Sequence, residues 1–391
     1  NLSNLFLHEP IFDDLEKRYV SDCIAGGFLS SVGKKIGEFE NKIAKLCGTK
    51  YAVSTVNGTS ALHLGLKIIG VMQNDEILVP TVSFVASANS ILYEKAIPHF
   101  IDVETKNFCV DAIKLKKYLL KNTKIKKGLC YNKKSGNIIR ALMVVHVFGH
   151  AANMKEILKL VKKFKLKLVE DAAEAIGSYY NKKHLGSFGD VGILSFNGNK
   201  IMTTSGGGAL VSNNKKYISY ARHLSTQARD NYIHYQHSDI GYNYRMSNLL
   251  ASFGYAQMLT INDRVKTRRT NYNDYKLLLK NFNSIKFFEE NQNYKSKIFS
   301  NRWLTTIVLG DEIKVSINKI VKLMMKKNIE VRPFWKPMNL QPVLKKYKYY
   351  GNAFEIKLFK KGLCLPSGSS LSIKERKLIV KQLLNILTNE Q

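Results

Sequence analysis

The stretch ALMVVHVFGHAANMKEILKLVKKFKLKLVED, residues 141–171, carries the reading of the fold. Ala141 to Phe148 is nearly all apolar, which suits a strand buried on both faces. Met154 to Phe164 has helical spacing, and Leu166 to Val169 reads as a second strand ending in Glu170-Asp171. Strand, crossover helix and strand together form the unit of a parallel sheet. The same alternation extends outward. Ile36, Phe39, Ile43 and Leu46 repeat at helical spacing and stop at Gly48. Tyr51-Ala-Val53 is a short strand, and a helix follows from about Ala61 to Ile69. Further strands are expected at Ile77–Val79, Pro98–Ile101 and Val191–Phe196.

The alternation runs to about residue 215 and predicts an α/β domain, a mostly parallel sheet wrapped by helices. After Asn243 the character changes. Ser247 to Leu259 reads as helix, a polar Asn/Lys/Tyr-rich stretch follows, and Ser372-Ile-Lys-Glu375 has the spacing of a capping box opening a last helix through Leu387. The expected division is a large domain over 1–240 and a smaller C-terminal α+β domain over 241–391, with the first 30 or so residues able to pack on the small domain.

At 391 residues, 45% hydrophobic and 23% charged, the chain has the composition of a globular enzyme, which excludes global disorder. Its 61 Lys+Arg against 30 Asp+Glu give a net charge of +31, which first suggests nucleic acid or an anionic membrane. No apolar run approaches the roughly 20 residues of a membrane span. Asn1 to Pro10 lacks a secretory pattern, and no helix-turn-helix or comparable module is present. The Lys-rich runs Lys114–Lys127 and Lys162–Lys167 are interleaved with Leu, Ile and Phe and read as solvated faces. The expectation is a cytoplasmic protein with no nucleic-acid or membrane partner. Five cysteines, odd in number and widely spaced, speak against a disulfide framework and a zinc site, so no metal is expected.

Three motifs follow expected strands, the edge of an open α/β sheet where ligands bind. Asn57-Gly58-Thr59-Ser60 is a Gly turn leading into a helix, a setting that favours phosphate, although alone it reads as an ordinary N-cap. Glu170-Asp-Ala-Ala-Glu174 places Asp171 at the end of a buried strand. Asp171 reads by default as a cap for the next helix; beside a cationic ring nitrogen it would be a counter-ion, with Ala172 and Ala173 leaving room for a flat ligand. Glu174 would share that face, one turn on. Lys200 sits between a Gly-containing turn and the loop Ser205-Gly-Gly-Gly208, where a lysine can form a Schiff base with an aldehyde. A phosphate cradle, an acid and a lysine are what pyridoxal phosphate (PLP) needs. Nucleotide-hydride, P-loop and zincin motifs are missing.

With these residues in view, the chain resembles the PLP-dependent sugar aminotransferases of the DegT/StrS group. The ordered matches include Ser30-Ser-Val-Gly33, Asn57-Gly-Thr-Ser-Ala61, Val79-Pro-Thr-Val-Ser-Phe84, Val145-His-Val-Phe-Gly149, Glu170-Asp-Ala-Ala-Glu174, Ser195-Phe…Asn199-Lys200, Gly241-Tyr-Asn-Tyr-Arg245 and Leu365-Pro-Ser367. The resemblance implies the type I, aspartate-aminotransferase-like fold. It implies that Lys200 is the Schiff-base lysine and proton carrier, and that Asp171 faces the pyridine nitrogen. Glu174 falls near the ring hydroxyl, and Gly58, Thr59, Ser60 and Ser195 bind phosphate. Phe84 stacks on the ring, although a core aromatic is as compatible with the sequence. Asn243 and Arg245 match a segment inserted into the neighbouring subunit's site, implying a homodimer with shared active sites. His146 lies near the cofactor in relatives, but a buried structural histidine is the simpler reading.

Many relatives carry Gly-Glu-Gly-Gly where this chain has Ser205-Gly-Gly-Gly208; the missing Glu at Gly206 counts against the common 3-keto-sugar subgroups. The Asn-Gly-Asn-Lys turn and Arg332-Pro-Phe-Trp335-Lys-Pro-Met338 look most like the branch acting on UDP-linked 4-keto-6-deoxy-N-acetylhexosamines, of the bacillosamine or legionaminic acid type. The implied reaction moves the amine of L-glutamate to C4 of such a nucleotide-linked keto sugar, for surface glycans such as O-antigen or lipopolysaccharide. Alternatives are 3- or 4-amination of a dTDP- or GDP-linked keto sugar, and a non-enzymatic or nucleic-acid-binding protein on the same fold. A sugar 3-dehydratase sibling would carry another residue, commonly His, where this chain has Lys200.

Overall fold

The computed structural model describes residues 4–290 and 297–389. An eight-stranded sheet forms its centre, in the order 51–55, 208–212, 191–195, 167–171, 139–145, 76–80, 97–101 and 349–350. All neighbours pair in parallel except the strand Gly208–Ser212, which runs antiparallel to both of its neighbours. The residues quoted first form the middle of this sheet. Ile139–Val145 and Lys167–Asp171 pair in register, joined by the helix Met154–Lys163. Residues 141–145 and 168–171 are buried on both faces, as the apolar run requires.

The helix Lys34–Cys47 buries the stripe Ile36, Phe39, Ile43 and Cys47 and ends on Gly48 in the left-handed region (φ 64°), where a residue without Cβ is unstrained. Each of these large apolar side chains contributes about 1.5–3 kcal/mol by leaving water. The capping box at Ser372 and Glu375 forms in both directions, at 2.7 and 3.3 Å.

The smaller unit is a four-stranded antiparallel sheet of Ile285–Phe287, Thr305–Leu309, Gly362–Leu365 and Arg332–Pro333. The helices Ile261–Leu278, Ile317–Met325 and Ile373–Asn389 belong to it. The chain start joins this unit: Leu5 forms a parallel bridge with Ile329, and the Leu7 carbonyl accepts from Ser367 N–H at 3.0 Å.

The structure corrects the division at residue 240. Helix Asn248–Leu259 packs on helices Asp14–Ala25 and Lys34–Cys47 of the large domain. Its inner face is built of small residues, Ala251, Ser252, Gly254 and Ala256, which let Phe39 approach closely. A Cβ on Gly254 would lie 2.7 Å from the Phe39 ring. The small domain therefore begins near residue 260, and it returns one strand, Tyr349–Tyr350, to the edge of the large sheet beside Ile97–Ile101. The polar stretch after Leu259 is the 18-residue helix Ile261–Leu278.

Candidate active site

A cavity of about 340 Å³ opens along the carboxyl ends of the central strands. Several separate segments reach it, and together they supply four parts of the chemistry.

The turn after strand Tyr51–Thr55 supplies the cradle. The Asn57 side chain accepts from Ser60 N–H at 2.8 Å and so opens the helix Gly58–Ile68, whose N-terminus faces the cavity. A Cβ on Gly58 would lie 2.9 Å from the Ser195 Cβ, so a side chain there would fill the space between the two loops. Gly58, Thr59 and Ser195 line the cavity. Ser60 is buried one step behind, its N–H already taken by Asn57.

Strand Lys167–Asp171 ends in the second part. Asp171 is buried, with one carboxylate oxygen accepting from the Ser87 hydroxyl at 2.6 Å and the other from Ala173 N–H at 3.2 Å. Burial raises its pKa, and these two donors and the Lys200 charge only partly offset that. Glu174 lies on the same wall, accepting from Phe148 N–H at 2.7 Å. Burial pushes its carboxyl up to about 7 against the opposing pull of Lys200.

The turn after strand Val191–Ser195 presents Lys200. Its Nζ is 3.3 Å from a Glu174 oxygen and 4.1 Å from the centre of the Trp303 ring. The side chain is only 11% exposed, so this lysine is held and not merely displayed. Its backbone N–H closes the turn on the Asn197 carbonyl, and the Trp303 indole N–H donates to the Asn199 carbonyl at 2.9 Å. Asn301 donates to the Glu174 carbonyl and accepts from Trp303 N–H, tying the wall that holds the carboxylate to the ring that covers the ammonium.

The fourth part is aromatic. Phe84 is 60% exposed at the cavity, which removes the core-aromatic reading; its ring centre is 6.1 Å from that of Trp335. His8 stacks on Trp303 at 5.1 Å and lines the same space. Trp303, His8 and the Asp171 partner Ser87 were not singled out from the sequence. Two tryptophans in 391 residues are a weak signal by themselves, and His8 reaches the site only because the chain start runs back across the small domain.

His146 is wholly buried, with its Nε2 2.9 Å from Glu170. Glu170 also accepts N–H bonds from Gly186, Phe188 and Gly189 at 2.9, 2.6 and 2.7 Å. Burial alone would raise the Glu170 pKa, but His146 and the backbone donors outweigh it and hold the carboxylate low. This pair braces the loop behind the site and does not line it.

Two residues were expected in the site of a neighbouring subunit and not in this chain's own cavity. Arg245, expected to reach a neighbouring subunit, has its guanidinium closed on Glu40 within the chain. Glu40 is buried and also holds Arg222 at 2.8 Å and the Ser54 N–H and hydroxyl at 2.7 and 2.8 Å. A carboxylate taken that far from water needs a close cation, and Arg245 supplies it. Asn243 is exposed and meets Thr226 in an isolated bridge. Neither residue lines the cavity.

A family model, the DegT/DnrJ/EryC1/StrS aminotransferase family, matches residues 10–384. The chain belongs to this family. EpsN of Bacillus subtilis (strain 168), provisionally named a pyridoxal phosphate-dependent aminotransferase, is 39% identical over 387 residues, covering 98% of this chain and 95% of EpsN. The GDP-perosamine synthase of Escherichia coli O157:H7 is 34% identical over 369 residues, covering 94% of each. The fold is that of Helicobacter pylori PseC, an aminotransferase in pseudaminic acid biosynthesis, with a TM-score of 0.87 at 21% identity over 99% of this chain and 100% of that one. Aminotransferases of the DegT family use PLP, and this chain is a PLP-dependent sugar aminotransferase. The cavity fits the cofactor: a Gly-floored helix N-terminus for its phosphate, a buried acid, a held lysine and a slot between aromatic and small side chains.

Proposed function

We propose that this aminotransferase moves the amino group of L-glutamate to C4 of a UDP-linked 4-keto-6-deoxy-N-acetylhexosamine. The observation that carries the catalytic part is the Lys200 amine, held between a carboxylate and an indole face in the cavity that also contains Asp171. When bound, PLP supplies an aldehyde to hold the amine and a ring that accepts electrons. Lys200 is the residue that takes the cofactor and then, with Nζ free, moves a proton to and from the reacting carbon. Glu174, with a pKa near 7, keeps a proton acceptor within 3.3 Å of Nζ around neutral pH. Asp171 holds negative charge at the end of its strand for the ring nitrogen, and Ser87 fixes its direction. Gly58, Thr59 and Ser195 hold the phosphate, and Phe84 and Trp335 flank the open side.

The choice of sugar rests on the Asn197–Lys200 turn and the segment 332–338, which brings Trp335 to the cavity. A GDP-linked 4-keto-6-deoxyhexose is the second reading, favoured by the identity to GDP-perosamine synthase. A homodimer is part of the proposal. Ile233 and Ile240 are 105% and 82% exposed on the segment before Asn243, and Phe28 and Val32 are 65% and 67% exposed, an apolar surface suited to a second copy. The test is mass spectrometry of products formed with glutamate from a panel of UDP-, GDP- and dTDP-linked keto sugars. Amination of the UDP-N-acetyl substrate at C4 is the expected result. Preference for the GDP sugar selects the second reading, and turnover of none of them overturns both.

A further inference from the structure

The net charge of +31 is unevenly placed. Residues 112–167 hold 16 Lys and Arg against a single acid, Glu156, so this stretch alone carries +15. In sequence it looks like separate solvated runs, but the fold collects them. Helix Ala112–Asn122 runs into the hairpin Thr123–Lys126/Leu129–Asn132, and helix Met154–Lys163 lies beside both. Gly128 at the hairpin turn lines one open surface groove with Leu158 and Val161, Lys116 acts on Glu156 across the two helices, and Lys133 Nζ donates to the Lys121 carbonyl at 3.0 Å. Four members have acidic partners: Lys114 with Asp102, Arg140 with Asp75, Lys159 with Glu156 and Lys167 with Asp190. The others, including Lys116, Lys117, Lys124 and Lys126, are exposed and have no ion pair among the described residues.

Aliphatic side chains sit among these cations. Ile113 is 71% exposed, Leu120 51%, Ile125 45% and Leu158 37%, while of the aromatics in the same stretch Tyr118, Phe148 and Phe164 are buried, Tyr131 is half-buried and none is exposed. That combination separates the candidate partners. Nucleic acid rewards cations together with exposed stacking rings. An anionic bilayer rewards cations together with aliphatic groups that enter the headgroup region. We propose that this face docks the enzyme on an anionic membrane surface; none of its lysines or exposed aliphatic side chains lines the cavity.

Vesicle co-sedimentation of the PLP-loaded, full-length enzyme tests this. Vesicles of phosphatidylcholine alone are compared with vesicles containing about a third phosphatidylglycerol, at low and physiological salt. Binding only to the anionic vesicles is expected. Replacing Lys116, Lys117, Lys124 and Lys126 together by Glu should weaken it by roughly tenfold or more. The same charge change placed at Lys322, Lys326, Lys327 and Lys374 should cost less than about twofold, since those residues lie outside this face. Ile113→Ser with Ile125→Ser should also weaken binding while leaving glutamate transamination unchanged, which shows that these variants fold. Equal loss from the two four-lysine sets would mean bulk charge and overturn the proposal. So would no binding to anionic vesicles, or equally tight binding to single-stranded RNA with no effect of the serine variants.

Discussion

Glu170 and Asp171 are neighbours on one strand, equally removed from water, and they behave in opposite ways. Alternation sends their side chains to opposite faces of the sheet. Glu170 meets one histidine and three backbone N–H groups, and its pKa is held low. Asp171 meets one serine and one N–H, and its pKa is raised. The first is a fully bonded brace. The second is a carboxylate whose surroundings are incomplete without a cation, and it faces the cavity that Lys200 enters. Burial alone therefore does not mark a functional acid; the supply of partners does.

The strongest way to break this comparison is at the lysine. Lys200→Ala should abolish transamination, by more than about 10⁴-fold in turnover, while the chain keeps its fold by circular dichroism. Retained turnover would remove Lys200 from the chemistry. Next is the acid on the cavity side: Asp171→Asn should lower kcat by about 10²–10³-fold with little change in Tm. The matching change on the other face should do the reverse. Glu170→Gln leaves N–H donors and His146 under-bonded and should cost about 3 kcal/mol in denaturant unfolding, with kcat of the folded fraction nearly intact. If both variants lost activity alike, the contrast between brace and site would be wrong.

The smallest expected effect is in pH. Glu174 is raised to about 7 in the fold from 4.5, so without cofactor it binds more protons than the unfolded chain between these values. Its contribution to stability is full below about 4.5 and is lost as pH rises toward 7. Glu170, held low, contributes in the opposite sense, losing stability as pH falls below the ordinary carboxylate range. The Tm of Glu174→Gln relative to the parent should therefore climb from pH 5 to pH 8, and that of Glu170→Gln should not. A flat difference for Glu174→Gln would place its carboxyl in the ordinary range.

Much of this was legible in residue order. The strand and helix unit over 141–171 was readable because its side chains alternate between long apolar runs and a helical stripe. Gly58, Thr59, Asp171, Glu174, Ser195 and Lys200 meet in one cavity because each follows a strand end, and strand ends converge at one sheet edge. What escaped has physical causes. Helix Ile261–Leu278 buries Arg264, Arg268 and Asn271 among Ile261, Val265, Tyr272 and Tyr275, a mixed face that gives no clean apolar period. Arg268 is instead satisfied by the Trp303 carbonyl, a partner 35 residues away. The two-residue strand Tyr349–Tyr350 is too short to show alternation. Trp303 and His8 join the site through long-range packing that no local motif encodes.

The central claim is that one lysine, in a chain crowded with them, is the cofactor's residue. Borohydride reduction of the PLP-loaded enzyme, followed by peptide mass spectrometry, tests it most directly, because reduction locks the cofactor to the amine that holds it. The expected result is a phosphopyridoxyl group on Lys200 alone, at one per chain, and none after glutamate has converted the cofactor to its amine form and freed the lysine. A label on another lysine, or one spread over the exposed lysines with Lys200 unmarked, would contradict it.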